Sequence, residues 1–105
     1  MAAERFVRLM GLEVVDAERY RAYRAGMTPI LVRHGGGFGY DLVVSEVLKS
    51  ESTKPFNRVF TIFFPSRDVS ERFFADPEYL RVRKELFEPS VKAVTMLASY
   101  VEPVP

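Results

Sequence analysis

Apolar and polar residues alternate with different periods along the chain, and each change of period marks an element. From Arg5 to Val15, Phe6, Val7, Leu9, Met10, Leu12, Val14 and Val15 form a dense apolar run, which reads as a largely buried strand. Asp16 follows as a helix N-cap, and Tyr20, Tyr23, Met27 and Ile30 or Leu31 recur every three or four residues, the stripe of an amphipathic helix. Pro29 is expected to kink or restart that helix, with Thr28 as a local cap, before the glycines from Gly35 end it. Tyr40 to Leu48 alternates loosely as a second strand, Lys49 to Asn57 reads as a loop, and Arg58 to Phe64 is a third strand stopped by Pro65. Asp68 with Glu71 resembles a capping box opening a helix through Phe73 and Phe74. Asp76-Pro77-Glu78 restarts a helix whose stripe is Tyr79, Val82 and Leu86, and Pro89 ends it before a last strand from Val91 to Val101. Without repeat or linker, this order predicts one α+β domain over residues 1–105: a ferredoxin-like βαββαβ sandwich, with two helices on one face of a four-stranded antiparallel sheet.

The strands carry more apolar residues than one covered face needs. In the third, Val59, Thr61 and Phe63 alternate with Phe60, Ile62 and Phe64, so both sides are apolar. The last strand sets Val94, Met96 and Ala98 against Val91, Ala93 and Leu97 in the same way. A second copy packed sheet to sheet, closing an α+β barrel, is the simplest cover, and a homodimer is expected.

Composition narrows the chemistry. The 105 residues hold 48% hydrophobic side chains, enough for one core, and 15 basic against 14 acidic residues leave no global field for nucleic acid or membrane. The absence of cysteine removes disulfides, thiolate catalysis and cysteine-held metals, and points to the cytoplasm. No metal or cofactor is expected.

Four of the six glycines fall at Gly35, Gly36, Gly37 and Gly39, beside His34, the only histidine. A phosphate loop would open a helix and carry a lysine, whereas this run ends one. Gly37-Phe38-Gly39-Tyr40 echoes an RNA-recognition motif, but Gly36 stands where a base belongs and Asp41 where an aliphatic belongs. His34 is the first choice for a general acid or base, against a simpler role capping the helix end. Tyr20, Tyr23, Tyr40, Arg58, Tyr79 and Arg83 form a candidate ligand-binding constellation around the cleft between helices and sheet. Arg58 needs an anion, and Glu46 on the adjoining strand is favoured over a ligand carboxylate.

The helix with Tyr20 and Tyr23, His34-Gly35-Gly36 before a strand, Phe64-Pro65-Ser66 closing a strand, and Asp76-Pro77-Glu78-Tyr79 followed by Arg83 resemble domain of unknown function 1330, across most of the chain. That resemblance implies the dimeric α+β barrel superfamily, whose members include cofactor-free monooxygenases, haem-handling enzymes, muconolactone-isomerase-like enzymes and ligand-binding modules. The additional Gly37 and Gly39 and the long loop from Ser50 to Phe56 depart from the family pattern, and the loop is expected at the pocket mouth. The expected function is binding of a small aromatic or acidic organic ligand, with cofactor-free oxygenation or isomerisation through His34 as a catalytic form. The alternatives are a non-catalytic dimeric binding or interaction module and an RNA-recognition-like binder.

Overall fold

The computed structural model describes residues 3–105. Four strands, β1 (Glu4–Val14), β2 (Gly37–Val43), β3 (Arg58–Phe64) and β4 (Val91–Pro103), pair antiparallel in the order β2-β3-β1-β4. The helices are α1 (Ala17–Arg33), α2 (Arg67–Ala75) and α3 (Pro77–Val82), and α3 runs on into a π turn, Arg83–Phe87. The ferredoxin-like sandwich is as expected, its second helix divided at Asp76. The core lies between helices and sheet, around Phe6, Leu12, Leu31, Ile62, Phe64 and Phe73.

α1 begins where Asp16 accepts a hydrogen bond from the Arg19 N–H at 3.0 Å, and its buried stripe is Tyr20, Tyr23, Met27, Ile30 and Leu31. Pro29 neither breaks nor restarts it. Ala25, whose carbonyl loses its partner to the proline, lies on the exposed side where water can replace it, and the Thr28 hydroxyl bonds back to the Arg24 carbonyl rather than capping a new turn. Gly35, at φ +79°, takes the left-handed conformation that ends the helix, and the Gly36 N–H returns to the Leu31 carbonyl at 2.9 Å. The cap of α2 lies upstream of the expected Asp68: Ser66 accepts from the Val69 N–H at 3.2 Å. Asp76 caps α3 through the Glu78 N–H, with Pro77 in the first turn as expected.

β2 starts at Gly37 rather than Tyr40 and leaves the sheet after Val43. Phe38 pairs with Ile62 and Asp41 with Phe60, so Gly39 and Tyr40 together face Thr61 as a β-bulge. The Thr61 hydroxyl fills it, accepting the Tyr40 N–H at 2.8 Å, and a Cβ on residue 39 would stand 2.6 Å from that hydroxyl, so only glycine fits. The extra residue reverses the alternation and turns Asp41 to the helix side.

In β4, two further irregularities leave Leu97 and Lys92 without partners on β1. Met96 consequently pairs with Met10 while Ala98 pairs with Leu9, so the two faces expected from strict alternation are not kept. The loop from 44 to 57 is anchored by Asn57, whose side chain bonds both the N–H and the carbonyl of Val14 at 2.9 Å. It lays Phe56 against Gly11, on the face of β1 away from the helices, and does not frame the helix-side cleft as expected.

Candidate ligand-binding site

A cavity of about 400 Å³ lies between α1, α3, the π turn and the sheet. The sheet supplies its floor in rows. Phe38, Ile62 and Arg8 stand side by side across β2, β3 and β1; Phe60 and Met10 form the next row, continued by Asp41 outside the lining, and Leu12 follows, with Arg58 beside it also outside the lining. The roof is Tyr20, Tyr23 and Met27 from α1 with Tyr79, Arg83 and Phe87 beyond Asp76. Aromatic walls with a few polar groups suit a small organic ligand.

Of the expected constellation, Tyr20, Tyr23, Tyr79 and Arg83 line this cavity. The Tyr23 and Tyr79 hydroxyls bond each other at 2.8 Å, and the Arg83 guanidinium reaches the Tyr79 hydroxyl at 3.5 Å. Burial raises the pKa of Tyr23 far above the ordinary phenol range, and the Tyr79 hydroxyl beside it adds to the rise. Burial also raises that of Tyr20, against the opposing pull of Arg24. Both stay neutral at physiological pH and serve as hydrogen-bonding groups.

Arg58 forms an internal pair, but with Asp41 rather than the expected Glu46: its Nε and Nη2 donate to the two carboxylate oxygens at 2.8 Å each. Glu46 falls beyond the end of β2, whereas the bulge turns Asp41 directly toward Arg58. Arg24, not foreseen as a site residue, joins them. Its Nη2 donates to Asp41 at 3.1 Å, its Nε to the Tyr20 hydroxyl at 2.8 Å, and its guanidinium lies 3.9 Å from the centre of the Phe38 ring. Hydrogen bonding from Arg58 holds the Asp41 carboxyl below the usual carboxylate range, and the charge of Arg24 reinforces it.

Two expected residues lie elsewhere. Tyr40, at the bulge, is 72% exposed and outside the cavity. His34 ends α1, its Nε2 lies 2.9 Å from Asp76, and its ring meets Phe73 edge-on, so it joins the end of α1 to the start of α3 outside the cavity. The bond from His34 keeps the Asp76 carboxyl below its ordinary range. Phe38, the ring that an RNA reading would need on the open sheet, is covered by Arg24 on the helix side.

Arg8 went unrecognised as a site residue because it sits in an apolar strand pattern. It faces the cavity from β1, with its guanidinium 4.8 Å from the centre of the Phe74 ring. Its buried Nε–H has no hydrogen-bond partner. The signal was a charge in register with Phe6, Met10 and Leu12, the core-facing positions of β1.

Among the described residues no cluster of three or more metal-ligating side chains occurs, and no helix is long and apolar enough to cross a membrane. No curated protein matches the chain. Solved structures match its fold over nearly its whole length. A protein of unknown function from Rhodopseudomonas palustris is 18% identical with a TM-score of 0.72, covering 98% of this chain and 84% of that one. A Dabb family protein with a ferredoxin-like fold from Mesorhizobium loti is 13% identical with a TM-score of 0.61, covering 97% of each. SnoaB, a cofactor-independent oxygenase from Streptomyces nogalater, is 14% identical with a TM-score of 0.53, covering 100% of this chain and 95% of that one. The family model for a domain of unknown function, DUF1330, matches residues 8–100.

Proposed function

Because the chain belongs to the DUF1330 family, whose function is unknown, we propose from the site itself that it is a cytoplasmic homodimer that binds a small aromatic or acidic organic compound. The observation that carries this reading is the helix–sheet cavity, whose volume of about 400 Å³ falls within the ordinary range for small ligands, about 300–1,000 Å³. Its walls combine aromatic rings with arginines, and the Tyr20 and Tyr23 phenols are neutral. Binding without turnover is the reading favoured over proton abstraction, since no carboxylate or imidazole is among the described residues lining the cavity. Oxygenation is the catalytic alternative suggested by the shared fold with the cofactor-independent oxygenase.

A thermal-shift screen of aromatic acids, phenols and neutral aromatics tests the reading. A bound compound should raise the melting temperature, and replacing Met27 with Trp to fill the cavity should remove that rise. Aerobic incubation with the best binder should return it unchanged; a new product would favour the oxygenase reading. Homodimerisation is supported by side chains left exposed on the sheet face away from the helices, where Leu42 lies opposite Val59 and Tyr100 opposite Val7. Sedimentation at micromolar concentration should give twice the 12.0 kDa chain mass, and a monomer alone would overturn the dimer.

A further inference from the structure

The arginines in and beside the cavity fall into two unlike groups. On the β2 side, Arg24 and Arg58 share the Asp41 carboxylate, and the Arg24 guanidinium is stacked against Phe38 and bonded to Tyr20. On the β1 side, Arg8 and Arg83 are absent from the ion pairs of the described residues. Neighbouring strands lie about 4.8 Å apart, so β1 and β2, with β3 between them, place Arg8 about 10 Å from Phe38 along the same row. The cavity is therefore polarised along the row.

Arg8 is the sharper of the two unpaired arginines. A guanidinium carries five N–H donors in a plane and is always charged. Its Nε–H here is buried without an acceptor, on an interior strand, where such a donor calls for an explanation. Phe74 packs against the guanidinium and offers no hydrogen-bond acceptor that could take that donor. The Nε and one Nη of a guanidinium match the two oxygens of a carboxylate in a bidentate pair. Arg83 lies on the π turn, where the Glu88 N–H bonds the Arg83 carbonyl at 3.0 Å, and its side chain enters the same cavity beside Tyr79. Single π turns of this kind recur at functional sites.

Resting on the ligand-binding reading above, we propose that Arg8, with Arg83, is the carboxylate receptor of the cavity. The ligand is thereby an aromatic carboxylic acid bound in one orientation. Its carboxylate takes the orphaned Nε–H and a neighbouring Nη–H of Arg8, and its ring extends over Met10 and Ile62 toward the Arg24 and Phe38 stack. The Arg24 end does not compete for the acid, because Asp41 already occupies its charge and Tyr20 its Nε–H.

2-Naphthoate and its uncharged isostere 2-naphthamide separate this proposal from the broader one. Calorimetry with the wild-type protein should show the acid binding at least tenfold more tightly than the amide. Arg8→Met should abolish that preference while leaving the amide within about twofold. Should that variant fail to fold, the Arg8 Nε–H resonance in a nitrogen-15 spectrum of the wild-type protein reports directly, moving downfield with naphthoate and not with naphthamide. Equal binding of acid and amide by the wild type, or an unmoved Nε–H resonance, overturns the receptor while leaving an aromatic-binding cavity standing. Binding of neither compound overturns the receptor, and the screen above then decides the broader reading.

Discussion

Two arginine groups flank one cavity, and they differ in what has already been done with their charge. Around Asp41, each guanidinium is consumed by the protein: two positive side chains share one carboxylate, and each lies over an aromatic ring, Arg24 over Phe38 and Arg58 over Tyr20. Around Arg8 and Arg83 there is charge and aromatic packing, but no carboxylate answers them among the described residues. The first group holds β2 to α1; the second leaves hydrogen-bonding capacity unspent. The same residue type is structural at one end and available at the other, and only its partners tell the two apart.

The comparison breaks most severely if Asp41 is neutralised. Asp41→Asn should cost about 2 kcal/mol of stability in urea unfolding, less than the roughly 3–5 kcal/mol of a fully buried pair because Asp41 and its partners are partly exposed. It should also make the ends alike, so that in an Arg8→Met background it restores part of the lost naphthoate affinity. If affinity does not return, the Arg24 end is closed by something other than its carboxylate.

A smaller effect is expected at the roof between the two groups. Tyr23→Phe leaves the buried Tyr79 hydroxyl with one partner fewer and should cost about 1 kcal/mol. Removing both hydroxyls should cost less than the sum of the single losses, since neither group is then stranded, and a double-mutant cycle measures this. Strict additivity would mean that the two hydroxyls act separately.

The smallest effect is that of acid. The Asp41 carboxyl is held below its ordinary value in the folded chain, so its contribution is complete above about pH 4, the unfolded value, and is lost as pH falls through the lower folded value. The urea midpoint should fall in that acidic window, and Asp41→Asn should fall less steeply. Identical slopes would place the acid sensitivity elsewhere.

Much of the fold could be read from spacing, because burial imposes a period on strands and helices alike. The stripe Tyr20, Tyr23, Met27 and Ile30 and the cap at Asp76 show this directly. Half of the expected constellation could be found for the same reason: Tyr20, Tyr23 and Tyr79 are core residues that also border the cavity. What could not be read depended on register. The partner of Arg58 was assigned to Glu46 by strand adjacency, but the bulge at Gly39 and Tyr40 decides which acid faces inward, and it is created by a contact with Thr61, distant in sequence. His34 drew attention through its titration range, yet its position at the end of α1 directs it to Asp76. Arg8 escaped notice because a single charge in a dense apolar run does not show which face it takes until strand pairing sets it in a row with Ile62 and Phe38.

The bulge at Gly39 also makes β2 one residue longer than the span of β3 that it covers. Phase, rather than sequence identity, is what this strand must conserve. A relative lacking one residue here would keep Asp41 inward by simple alternation. A relative of the same length that closes the bulge would send Asp41 outward and leave Arg24 and Arg58 in need of an acid. Chain length between Phe38 and Asp41, taken with the presence of glycine at position 39, thus reports which way the acid beside the cavity faces in related chains.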